Sequence, residues 1–128
     1  MLDTNVFVGA GFRPASASGR LVAAARAGRL AVVWTAATRD EAERVVGQIP
    51  PLGAFDWSAI FRPDGEHTAP LDLAPFEHVA GHLDQTLAAL ALAASVPLVT
   101  ADGPLVAGAE QSGVLVYRPA QALAALGL

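Results

Sequence analysis

Four short apolar runs separated by helical stretches constrain this chain more than any other feature. The runs are Met1 to Thr4, Arg29 to Trp34, Val96 to Thr100 and Gly113 to Tyr117, and each reads as a strand. Asn5 to Ala10 either continues the first strand or turns into a short helix. Helical spacing covers Ala15 to Ala27, with Ser16 or Ser18 as N-cap and Gly28 as stop. Thr35 caps a second helix running to about Val46 or Ile49, where Pro50-Pro51 ends it. The strongest helix starts at His82 or Leu83 and reaches Ala94. Pro104–Glu110 reads as a short helix and Pro119–Leu126 as a last one. Residues 50–80 hold five of the nine prolines and are the least regular part, with room for a short helix near Phe55–Ile60. Strands alternating with helices imply a three-layer α/β/α fold. Its central, mostly parallel sheet would have about four to five strands, covered on both faces. At 128 residues the chain is expected to form one domain, 1–128.

Composition narrows the function. Hydrophobic residues make up 53%, enough for a sizeable core, yet no run of 18 apolar residues exists to span a membrane. No basic segment followed by an apolar one marks a secretory signal. Cysteine is absent, which excludes disulfides and thiolate zinc sites and suits a cytoplasmic protein. Twelve acids against eight arginines, with no lysine, give a net charge of −4. Such a chain lacks the broad basic surface of a nucleic-acid carrier. It can still hold nucleic acid locally through arginine and a metal ion.

The placement of four acids is the main functional signal. Asp3 and Asp102 lie at or just past the carboxyl ends of predicted parallel strands, the edge where open α/β sheets bind ligands. Asp84 stands at the start of the strongest helix, over its buried face. Glu41 shares a helical stripe with Ala37, Thr38 and Val45, facing the sheet or its rim. Each has an ordinary alternative: a residue near a frayed terminus for Asp3, a rim residue reaching water for Glu41, a helix N-cap for Asp84, a turn for Asp102. Asp40 with Arg44 and Arg39 with Glu43 are expected as solvated pairs on the same helix. Thr4, Asn5, Thr35 and Thr100 fall near strand ends at the same edge and can orient a carboxylate, a water or a phosphate. Three or four acids at one edge need a counter-charge, and no lysine supplies it. A hard divalent cation does so more simply, and oxygen-only ligation favours Mg²⁺ or Mn²⁺ over zinc. His67, His78 and His82 read as surface or loop residues.

In order, Leu2-Asp3-Thr4-Asn5-Val6, Trp34-Thr35 with Glu41 and Val45-Val46, Asp84-Gln85-Thr86-Leu87-Ala88-Ala89, and Leu98-Val99-Thr100-Ala101-Asp102 resemble the motifs of PIN domains, a family of metal-dependent ribonucleases. The tail Gly113 to Pro119 followed by Leu123 fits the same pattern, so the resemblance spans nearly the whole chain. In style it is similar to the toxin halves of bacterial toxin–antitoxin pairs (VapC type). Two departures stand out. Only Met1 and Leu2 precede Asp3, so either the first strand is short or the start is placed late. Gly103-Pro104-Leu105 follow Asp102, where some relatives carry a further acid.

The resemblance implies an endoribonuclease that hydrolyses RNA phosphodiesters. Asp3, Glu41, Asp84 and Asp102 would serve as catalytic metal ligands for Mg²⁺ or Mn²⁺, supported by Thr4, Asn5, Thr35 and Thr100. It also implies an RNA substrate, a small antitoxin protein as partner and a homodimer, with no membrane. Surfaces open to such a partner are Leu21-Val22-Ala25 and the 50–70 segment with Phe55, Trp57 and Phe61; the alternative is that both are core. Competing readings are a PIN-like scaffold that binds without cutting and a structural domain with incidental acids. A haloacid-dehalogenase-like phosphatase needs a second Asp two residues after the first, plus a lysine. Asn5 stands there instead, and lysine is absent.

Overall fold

The computed structural model describes residues 1–52 and 55–128. Seven helices dominate them: α1 (Thr4–Phe12), α2 (Ala17–Arg26), α3 (Ala36–Gly47), α4 (Trp57–Ile60), α5 (His82–Ala94), α6 (Gly103–Gln111) and α7 (Pro119–Leu126). Three single 3₁₀ turns lie between α3 and α5. The only ladder among the described residues joins β1 (Leu98–Val99) to β2 (Val116–Tyr117), in parallel, with Leu98 opposite Val116.

The expected central sheet of four to five strands is therefore wrong. Two strands pair as a ladder, and the other two runs contribute isolated parallel bridges, Leu2 with Val99 and Trp34 with Glu66. The causes are local. The first run makes a single ladder step before the chain turns into a helix: the Val99 amide donates to Met1 O and the Asp3 amide to Val99 O. Thr4 then starts α1, which settles the ambiguity over Asn5 to Ala10 in favour of a helix. The second run is pinned at both ends away from a ladder. The Leu30 amide donates back to Ala24 O at the end of α2. Trp34 is drawn to 65–67: its amide donates to Gly65 O, its indole to Arg62 O, and its carbonyl accepts from His67. Only glycine fits at 65, because a Cβ there would lie 2.1 Å from Val32 O.

Helix starts follow the sequence more closely. Ser16 caps α2 by accepting from the Gly19 amide, and Gly28 follows the helix at φ 79°. Thr35 and Thr38 cap α3 reciprocally. The β1 residues alternate as a strand should: Val99 joins one apolar cluster and Leu98 another. The first cluster contains Phe7, Leu21, Val22, Ala25, Trp34 and Phe61, with Phe55 and Trp57 packed against it. Of the stretches considered as partner surfaces, Leu21, Val22, Ala25 and Phe61 thus belong to the core and Phe55 and Trp57 lie half-buried against it, while positions 53 and 54 lie outside the described residues. The second is aliphatic, built on Leu87 to Ala91 of α5 with Phe76, Leu105 and Val114. No described helix is long and apolar enough to cross a membrane.

Candidate functional site

The carboxyl end of β1 carries a connected polar cluster, with Asp3 and Thr100 both buried. Thr100, the residue after β1, is fully buried and uses every capacity of its hydroxyl. It donates to Asp3 Oδ2 at 2.7 Å and accepts from the Asp102 amide at 3.0 Å and from Asn5 Nδ2 at 3.3 Å. The Ala101 amide leans on Asn5 Oδ1 at 3.5 Å, the outer limit of a hydrogen bond. One threonine thus ties the start of α1 to the β1–α6 loop, two segments almost a hundred residues apart.

Asp3 is only 7% exposed. Burial pushes its carboxyl above the usual range; Thr100 and the amides of Thr4 and Asn5 pull it back, and the charge of Asp102 adds to the rise. It occupies the N-cap position of α1 but closes no capping hydrogen bond there. Asp102 caps α6, its Oδ2 accepting from the Leu105 amide at 3.2 Å. Asp84 is not the N-cap of α5: Gly81 holds that position, and Asp84 sits in the first turn. Its carboxyl is raised to about 6, by burial first and then by the charges of Asp3 and Asp102. The charge of Asp102 thus makes Asp3 harder to ionise, and the charges of Asp3 and Asp102 do the same to Asp84, after burial in both cases.

Glu41 stands apart from that group. Its carboxylate is taken by Arg44 Nη2 at 2.6 Å, one helical turn along α3. The expected Asp40–Arg44 pair is thereby displaced, whereas Arg39–Glu43 forms at 2.7 Å. Among the supporting residues, Asn5 and Thr100 join the aspartates through side chains and Thr4 through its backbone. Thr35 instead spends its hydroxyl on the cap of α3.

Two further residues escaped the sequence reading. Arg118 follows β2 and donates through Nη1 to Ala101 O at 3.1 Å, which sets a cation on the rim of the aspartate loop. Its position after the strand that pairs with β1 was the available signal. His67, read as a surface or loop residue, lies in a loop but is half-buried, and its Nε2 is the one buried side-chain polar atom without a hydrogen-bond partner among the described residues. Nothing in the local sequence marks it.

In donor chemistry the aspartates suit a hard divalent cation. They bring oxygen only, they repel one another, and among the described residues neither ion pair involves them. As they stand, no three described acidic or histidine side chains close around a common point. No protein-family model, no curated protein and no solved structure matches the chain.

Proposed function

We propose that the protein is a metal-dependent endoribonuclease whose site is built on Asp3, Asp84 and Asp102. The observation that carries this reading is the meeting of Asp3 and the Asp102 loop on Thr100 at the end of β1, with Asp84 near enough for their charges to raise its carboxyl and, among the described residues, no cationic side chain in an ion pair with any of the three. The same residues form the motifs that resemble PIN domains. Capping of α6 gives Asp102 a structural role as well, but Asp3 and Asp84, raised by burial and by like charge, gain little from the fold alone, because carboxylates without a counter-charge oppose folding.

Mg²⁺ or Mn²⁺ held by Asp3, Asp84 and Asp102 would supply a bound water of lowered pKa and neutralise charge on the scissile phosphate. The chain's own contributions are positional. Thr100 holds the Asp3 carboxylate and the Asp102 backbone through one hydroxyl, which keeps the two residues together at the end of β1. Asp84, titrating at about 6, is ionised for the most part at neutral pH and is the carboxylate most sensitive to an arriving cation. Glu41 would be free to serve as a further ligand only if it released Arg44. Arg118 at the rim offers a guanidinium to a phosphate oxygen. A cytoplasmic toxin role, with a small antitoxin as partner and a homodimer as the assembled form, is the setting the motif resemblance favours.

The test is cleavage of a labelled single-stranded RNA with Mg²⁺ or Mn²⁺, beside an EDTA control. Cutting that needs the metal supports the reading. A folded protein that binds Mn²⁺ but cuts no RNA moves the weight to a scaffold that binds without cutting.

A further inference from the structure

We draw no further inference here: the strongest candidate, the apolar cavity at the amino end of β1 lined by Met1, Leu30, Val32, Val96 and Val99 among others, carries none, because nothing in the structure shows what covers it.

Discussion

The two ends of the small parallel sheet are built in opposite ways. At the carboxyl end, Thr100 binds Asp3, Asn5 and the Asp102 backbone in a network that leaves none of its own hydroxyl capacity unused. At the amino end, Met1, Leu30, Val32, Val33, Val96 and Val99 line an apolar cavity of about 200 Å³. Backbone geometry alone does not produce this asymmetry, because both ends expose strand termini. The difference lies in where the chain places carboxylates that hydrophobic burial cannot use. One end is made to hold shape and the other to hold charge.

Substitutions at each end should separate those roles. The largest effect is expected from Asp3→Asn or Asp102→Asn. Either should cut metal-dependent RNA cleavage by more than the roughly 10–100-fold typical of residues that only orient a ligand. Circular dichroism should show the fold intact, and cleavage retained in either variant would remove that residue from the chemistry. Thr100→Val comes next. It keeps the shape but strips Asp3, Asn5 and the Asp102 amide of their common partner, so chemical denaturation should show a loss of about 1–3 kcal/mol, with slower cutting as well. Val32→Ala, at the apolar end, should cost about 1–2 kcal/mol and leave the rate of cleavage by the folded protein unchanged. A tenfold fall in that rate would mean the two ends are not separable.

Acidity sharpens the contrast further. Asp84 titrates at about 6 in the folded chain against an ordinary 3.8. Its raised value favours the folded state below pH 3.8, and that advantage is lost as the pH rises through 6. In EDTA, Asp84→Asn should therefore melt higher than the parent at pH 7.5, with the gain shrinking toward pH 4. A variant that melts lower at pH 7.5 would show that the Asp84 charge is already compensated. The smallest effect belongs to Arg44→Gln, which frees Glu41. Loss of this partly exposed pair should change stability by less than about 1 kcal/mol, while Mn²⁺ affinity rises if Glu41 is a ligand.

Much of this was legible in the sequence, in an uneven way. Helix signals survived translation into structure because they are local: Ser16 and Thr35 cap where their side chains reach the next turn, and Gly28 stops α2. The sheet did not, because strand pairing depends on partners. Arg29 to Trp34 has a strand's composition, yet Gly65 and His67 take its end and α2 holds its start. That Asp3 and Asp102 lie together at one end of β1 was legible because each follows an apolar run that reads as a strand end. Arg44 choosing Glu41 over Asp40 was not, since both spacings suit a helix. The burial of His67 Nε2 was not legible for a different reason: it depends on tertiary placement, which no local pattern encodes.

The most direct test of the central claim is the titration of the Asp84 carboxyl by NMR, with and without Mg²⁺. Without the ion it should titrate near 6. With Mg²⁺ bound among the aspartates, the midpoint should fall below the ordinary carboxylate value, and in Asp3→Asn it should fall less. A midpoint near 6 that saturating Mg²⁺ leaves in place would contradict a cation site at the end of β1.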